Sequence, residues 1–481
     1  MSKVVAIKKP RAGYEAGKPT PYHVGPPQSR SADVEMGNAG VRMRNWARYL
    51  ADNSNIVSAV LSSRVSNAIG PGLTYEPLVK TRKGELLDDL NDILRRIHER
   101  WSRRVDTSGE FSRQELERLA WRTWDLDGET FVRKVARRRD NQSLPYQLQQ
   151  VETDWVPYNT LQVIAGNAVV HGIAKDTWGA PVRYYVDPLQ QDTAYGYTGI
   201  TTDPERMTIV PADDMWHLKR VDRVNQTRGV TLLHAVIFRI ADIAEFQEAH
   251  RLAARASADQ YASINRSPDM EVSDTATDRN WQLSHLQIID ELAPGESVNF
   301  HDPQHPNQNA VDFVREELRA IASGCDVGFS QIAQVFDSSY AAQRLEVVDT
   351  WRKVERDRSK FITDFARPAL YEEVIRAAQL AGLIPQRLLR RADPQTLYDA
   401  RIDGPAMPVI DPVKDRGAYV LDQENGWDSR QGIIRRMGKI PAQVDAERSN
   451  DSMTPSAIPP ADDQPAGADP EESGTNNEAQ E

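Results

Sequence analysis

The chain of 481 residues, 40% hydrophobic, 27% charged and 7% aromatic, has the composition of an ordinary folded protein of two to four domains at about 150 residues each. This excludes collagen-like, fibrous and wholly disordered classes, and the lack of any apolar run near the ~18 residues a bilayer requires excludes an integral membrane protein. The single cysteine, Cys325, rules out an intramolecular disulfide or thiolate cluster and suits a reducing compartment, while the formal charge of -11 is unevenly distributed.

Residues 1–30 hold six bases (Lys3, Lys8, Lys9, Arg11, Lys18, Arg30) against Glu15, and their prolines predict a mobile basic arm without the apolar core of a secretion signal. Over 46–69 apolar residues recur at helical spacing until Gly70-Pro71-Gly72, which predicts one amphipathic helix or two. Helices follow over 86–101 and 113–124, the latter opened by Ser112 with Glu115 three residues on, a capping-box pattern. Short strands are expected at 130–136, 146–151, 169–174, 182–186 and 215–219, so the class is α+β.

Residues 231–264 lack Gly and Pro and predict one helix of roughly 50 Å, apolar in its first half and Ala-rich in its second. Strand-like pieces at 286–289 and 297–300 precede a helix over 310–323. A short helix over 330–336, a loop at 337–339 and a long helix over 341–381, broken near Pro368, complete this part. Residues 449–481 contain eight acids and no base, so without them the charge falls to -3; their composition predicts disorder. A near-neutral body argues against static DNA binding, which draws its affinity from neutralised phosphates, but not against DNA that slides past.

No catalytic constellation emerges. Gly432 to Gly438-Lys439 fails the P-loop spacing and has Ile440 where a hydroxyl is needed, so it reads as a helical turn. His301 and His305 lie in a Pro-bearing stretch that suits a solvated loop better than a metal site, and neither metal nor cofactor is expected. Cys325 reads as a packing residue. Arg133, Lys134, Arg137, Arg138 and Arg139 suggest a solvated hairpin edge, and Arg352, Lys353, Arg356, Arg358 and Lys360, mixed with Glu355 and Asp357, an exposed or intersubunit face. Asp125, Asp127 and Glu129 lack calcium-loop spacing and suggest capping and turn duty.

The order of segments carries more. Asp52 to Val60, the Asn67-Ala68-Ile69-Gly70-Pro71-Gly72-Leu73 stop and Asp127-Gly128-Glu129-Thr130-Phe131-Val132 fall in order with His171-Gly172-Ile173 and Val210-Pro211-Ala212-Asp213-Asp214. Arg228-Gly229-Val230, Leu292-Ala293-Pro294-Gly295-Glu296, 313–324, 338–344 and Asp411-Pro412-Val413-Lys414 continue the series. Over about 42–447 this chain resembles the lambda-type portal proteins of tailed bacteriophages. Where that family shows Tyr-Ser-Ser-x-Arg, this chain keeps Tyr340 and Arg344 but has Ala341 and Ala342.

The resemblance implies a portal fold in eight parts. These are a flexible basic arm (1–41), an α+β wing (42–229), a first stem helix (230–265), a clip (266–309), a second stem helix (310–324), a tunnel loop with a long wing helix (325–381), a crown (382–448) and a disordered acidic tail (449–481). It further implies a non-enzymatic ring of about twelve copies at one capsid vertex, assembled in the host cytoplasm. Double-stranded DNA would pass through it, pumped in by terminase and later ejected. Partners implied are the terminase large subunit, the major capsid and scaffold proteins and a head-completion adaptor, with no membrane. Ser338, Ser339, Tyr340, Gln343 and Arg344 would face DNA, and Trp281 and His301 would lie in the partner-docking clip. Ring closure would bury the Ala-rich half of the long helix between subunits. The competing readings are another phage structural component, such as a head-tail adaptor or baseplate protein, a hydrolase with an unrecognised site, and a static DNA-binding protein.

Overall fold

The computed structural model describes residues 30–137, 144–158, 161–164, 167–187, 207–258, 262–266, 296–300, 308–336, 339–408 and 411–451. Two helices open the fold, α1 (Ala32–Asn53) and α2 (Asn55–Ala68), with Ser54 in extended conformation between them. Ser31 caps α1 through its hydroxyl, which accepts from the Val34 amide. Residues 32–41, expected to belong to the arm, are therefore part of α1. Apolar periodicity missed the start of α1 because its buried positions include Gly40, seated under the Tyr158 ring, and Arg44, paired with Asp154.

Strand β1 (Thr74–Pro77) leads to α3 (Asp88–Trp101) and α4 (Arg113–Asp127), whose Ser112–Glu115 capping box forms as expected. Gly128, at φ +85°, turns α4 directly into β2 (Glu129–Val135). Then come β3 (Gln147–Val151), β4 (Leu161–Ile164), β5 (Asn167–Val170), β6 (Ile173–Lys175), β7 (Pro181–Val186), β8 (Thr208–Pro211) and β9 (Met215–Lys219). They form two antiparallel sheets, in the orders β3-β2-β9 and β4-β5-β6-β7-β8. The strand expected over 169–174 is two strands, because His171 and Gly172 both take positive φ and make a tight turn. Strand β2 is central in its sheet, so Arg133 is not at an edge: it faces Gln149 on one side and Met215 on the other, while Lys134 donates to Glu373 and Arg138 and Arg139 lie outside the described residues.

The long helix expected over 231–264 divides. A 3₁₀ turn (Leu232–Ala235) precedes α5 (Ile237–Ala258), about 33 Å long at 1.5 Å per residue, and β10 (Ala262–Arg266) then pairs antiparallel with β11 (Glu296–Phe300). Freedom from Gly and Pro permitted a helix there, and cross-strand pairing overrode it. Helix α6 (Gln308–Gly324) runs back against α5, with Arg239 paired to Glu317 at 2.8 Å and the Phe246 and Phe313 rings 5.0 Å apart.

After α7 (Phe329–Ala333) comes α8 (Tyr340–Phe361), a π-helical stretch (Ile362–Glu372) and α9 (Glu373–Leu380). Pro368 does not break this run. Proline lacks an N–H and its ring clashes with the carbonyl four residues back, and the wider i→i+5 winding accommodates both. Helix α10 (Gln386–Leu389) and β12 (Ala400–Asp403) follow, and β12 pairs with β1. Leu388, Ala392, Leu397, Ala400 and Ile402 thereby join the main core with Trp121, Trp124, Phe361 and Phe365. The first part of the segment set apart as a crown is thus built into the α+β body, and only α11 (Pro412–Glu424), α12 (Arg430–Arg436) and α13 (Pro441–Asn450) lie beyond it. A second core joins α1 and α2 to the start of α5 and the end of α6, and includes Cys325, a packing residue whose thiol burial pushes up to about 12.

Candidate functional site: an exposed loop on a buried ion network

The α4–β2 junction places three carboxylates, Asp125, Asp127 and Glu129, in the interior, and each meets arginine from elsewhere in the chain. Asp125 accepts from Arg64 of α2 (2.9 Å) and from Arg220 beyond β9 (2.8 Å), and Arg64 also donates to Asp357 of α8 (2.7 Å). Asp127 takes a bidentate pair from Arg48 of α1 at 2.9 and 2.6 Å, and Arg48 extends to Asp154. Capping and turn duty, expected from sequence, is therefore replaced by ion pairing. The network ties α1, α2, α4 and α8 to the segment after β9, all within one low-dielectric region where lost partners are costly.

Glu129 has the most enclosed environment. It accepts from Arg228 Nε at 2.7 Å, the Gly229 amide at 2.9 Å and His217 Nε2 at 3.0 Å. Arg228 also donates to the carbonyls of Thr153, Val156 and His171, and its guanidinium lies 4.1 Å from the Tyr158 ring centroid. Burial would raise the Glu129 carboxyl, but Arg228 and His217 outweigh it and hold the group well below the usual carboxylate range. Burial lowers His217 to about 4 despite Glu129 beside it, so the imidazole is neutral and donates from Nε2.

Gly128 and Gly229 let the two backbones touch at this junction. A Cβ on Gly229 would overlap the Gly128 carbonyl, and one on Gly128 would overlap Val230. Gly229→Ala is expected to destabilise by at least about 2–3 kcal/mol, read as a lower denaturant midpoint, because backbone atoms on both sides must move. Gly84→Ala is a weaker contrast: that glycine has positive φ, as Gly128 does, but nothing lies within 4 Å of its would-be Cβ.

The network continues to an exposed loop. After α6, Asp326 (φ 56°) accepts from Arg356 at 3.1 Å, and Glu346 accepts from the amide and hydroxyl of Ser330 at 2.8 and 2.9 Å. Gln331 is held by Ser63 of α2 at 2.7 Å. These contacts fix the base while Gln334 to Phe336 and the start of α8 project outward. Phe336 is 62% and Leu345 70% exposed, and Leu345 did not stand out in the sequence.

Four of the five loop residues singled out from sequence come together here. Ser339 caps α8 by accepting from the Ala342 amide, Gln343 Nε2 donates to the Phe336 carbonyl at 2.9 Å, and Arg344 donates to the Tyr340 hydroxyl at 3.3 Å. Ser339 and Tyr340 are exposed, Gln343 and Arg344 half-buried. Ser338, Trp281, His301 and the 286–289 segment lie outside the described residues.

Further along α8 the mixed-charge face is only partly a surface. Asp357 and Arg358 are buried, with Arg358 donating to the Asn67 carbonyl at 2.7 Å and lying over Trp351. The buried arginines were the residues sequence reading missed. Arg64 carried a signal, since it falls within the apolar stripe of Val57, Val60, Leu61 and Ala68. The region around Gly432 is helical, as expected. Among the described residues no helix is long and apolar enough to cross a membrane, and no three metal-ligating side chains cluster.

The family profile described as "Phage portal protein, lambda family" matches residues 23–358. The probable portal protein of Halomonas phage phiHAP-1 is 27% identical over 440 residues, covering 85% of this chain and 79% of its own. Among solved structures, the neck of a native GTA particle computed with C12 symmetry is 14% identical, with 89% of this chain and 97% of that chain covered and a TM-score of 0.43. The HK97-family portal protein from Corynebacterium diphtheriae is 12% identical, covering 75% and 100%, with a TM-score of 0.30. The profile takes in the α4–β2 junction, its arginine partners, the loop and α8 as far as Arg358, well over half of the sequence, and the chain belongs to the lambda family of phage portal proteins.

Proposed function

We propose that this portal protein closes into a ring of about twelve copies at one capsid vertex. DNA passes through the ring during packaging and ejection. The observation that supports the ring is a set of large apolar side chains left exposed on the helical pair: Phe238 and Leu252 lie two heptads apart on α5 and are 73% and 53% exposed, and Val311 of α6 is 68% exposed. Side chains of this size each gain roughly 1.5–3 kcal/mol on full burial, and a neighbouring copy supplies that cover in a head-to-tail contact that closes by rotation.

In this reading α5 and α6 are the stem, the 266–309 region between them is the clip, the α+β body is the wing, and α11 to α13 belong to the crown. The acidic tail follows, and the basic arm precedes α1. Ser338, Ser339, Tyr340, Gln343 and Arg344 line the channel on the anchored loop, which is exposed enough to meet a passing duplex. The near-neutral charge of the chain without its tail suits sliding, because many strong phosphate contacts would retain the DNA. The terminase large subunit docks at the clip, where Trp281 and His301 are candidates for contact, and carries out ATP hydrolysis, so the ring itself is no enzyme. The head-completion adaptor takes the clip after packaging, and capsid and scaffold proteins surround the wing. Assembly takes place in the host cytoplasm.

Negative-stain electron microscopy with mass measurement on the same sample tests the ring. Annular particles with a central hole and a mass near twelve subunits are expected; a uniform monomer or two-fold dimer, both alone and with the phage's own scaffold added, overturns the reading.

A further inference from the structure

Several exposed arginines pair with a nearby carboxylate, as Arg376 does with Glu373 and Arg95 with Asp92. One junction gathers a group of cations that do not. The turn after β1 and the segment after α10 are joined by the Thr81–Ala392 bridge and by the Asp393 amide, which donates to the Lys80 carbonyl at 2.8 Å. That junction brings Arg82 and Lys83 together with Arg387, Arg390 and Arg391. All five are exposed, and among the described residues none has a carboxylate within ion-pair distance. Beside them runs a groove of about 410 Å³ between α3 and α10, with Ile93 and Leu388 among its lining, Arg96, Arg387 and Arg391 as its cations and Asp89 and Asp92 on its α3 side.

The same chain carries a segment of opposite charge outside the described residues. Residues 452–481 hold seven acids (Asp462, Asp463, Asp469, Glu471, Glu472, Glu478, Glu481) and no base. Its point of attachment is near. Arg435 of α12 makes a bidentate pair with Glu76 of β1 at 2.8 and 2.9 Å, and β1 runs on toward Lys80. Helix α13 folds back on α12 through the Arg430–Asp445 pair and ends at Asn450.

Followed along these connections, the path from Asp451 to Arg82 is at most ~60 Å, and the twenty-one residues from Asp451 to Glu472 span up to ~70 Å at 3.3–3.6 Å each. Exposed ion pairs are individually weak, and several of them act together for an occupant that belongs to the same chain.

We propose that the acidic segment 452–481 docks on the basic patch of Arg82, Lys83, Arg387, Arg390 and Arg391 of its own chain, neutralising it. Duplex DNA is a poorer fit, because the carboxylates of Asp89 and Asp92 face the same groove and would repel a phosphate backbone, whereas the tethered segment can place its acids on the cationic side alone.

The test is zero-length carbodiimide crosslinking of the full chain, read by peptide mass spectrometry on a mixture of light and heavy isotope-labelled protein. Lys80 and Lys83 are expected to couple to acids within 469–481 in light–light and heavy–heavy pairs. The yield should fall at least tenfold in 1 M salt and in the Arg387→Ser, Arg390→Ser, Arg391→Ser variant. Among the described residues those arginines make no ion pair, so this variant keeps its fold, which circular dichroism checks. No crosslink to the patch, a yield unchanged by the triple substitution, or mixed-isotope pairs overturns the proposal. Duplex binding that the triple substitution abolishes, and that neutralising the seven acids does not strengthen, would assign the patch to DNA instead. None of these readouts depends on ring formation, so the portal reading and this one fail separately.

Discussion

Arg228→Met is expected to lower the unfolding free energy by about 3–5 kcal/mol, because it leaves Glu129 buried without its main counter-charge. Both side chains are fully buried, and the guanidinium also serves three backbone carbonyls that would lose their donor. Denaturant unfolding reads the loss as a shift in midpoint at unchanged slope. Adding Glu129→Gln to Arg228→Met should recover part of it, since removing both charges ends the uncompensated burial. Arg223→Ala is the contrast: its pair with Glu35 is half exposed on each side, and a loss under about 1 kcal/mol is expected. Equal losses from the two arginines would mean that the junction is not the electrostatic centre of the fold.

Buried histidines at this junction and in the main core predict how acid acts on the chain. Burial lowers His98 to about 3, with Arg113 adding to the effect, and lowers His217 to about 4 against Glu129, with Lys219 and Arg228 assisting burial. An unfolded histidine takes up a proton near pH 6.5 while these two remain neutral, so the unfolded state binds more protons as pH falls below about 6.5. Stability is therefore lost on acidification from about 6.5 to 4 through both groups, and further toward 3 through His98. Glu129 acts in the same direction lower down. Its folded value is depressed, so its contribution is present above its unfolded value near 4.5 and fades as pH falls below it. His217→Gln should flatten the upper part of the curve.

How much of this was legible in the sequence depends on which physical signal a segment carries. Helices α3 and α4 were read closely because an amphipathic stripe and a capping box are local. The α1 start was hidden because Gly40 and Arg44 occupy buried positions, one for close approach and the other for ion pairing, and neither registers as apolar. The pairing of β1 with β12 joins residues more than three hundred positions apart, which no local pattern reports. The candidate loop was located by resemblance, and the anchoring contacts of Glu346, Gln331 and Asp326 were not visible because each partner comes from a different element. The alternating acids at 125, 127 and 129 were seen, but their role depended on Arg48, Arg64, Arg220 and Arg228, scattered along the chain.

Phe238→Glu combined with Leu252→Glu is expected to abolish ring assembly while leaving the single chain folded. Both side chains are mostly in solvent, at 73% and 53% exposure, so their replacement changes chain stability by no more than about 0.5 kcal/mol each. In an assembly the same change removes roughly 1.5–3 kcal/mol of burial per side chain and adds two carboxylates beside the exposed Asp242, Glu245 and Glu248 of α5, repeated at every interface of a closed ring. Mass measurement should therefore show subunits in place of rings at concentrations where the parent assembles, with an unchanged thermal midpoint for the monomer. Phe313→Ala separates the two effects from the other side. Its ring packs on Phe246 within the chain, so it should lower stability through the α5–α6 contact before it touches assembly. Trp178, 93% exposed at the turn between β6 and β7, is the control for exposed apolar residues in general, and Trp178→Glu should alter neither quantity. Rings that persist in the Phe238/Leu252 variant would move the subunit contact off α5 and remove the observation on which the stem assignment rests.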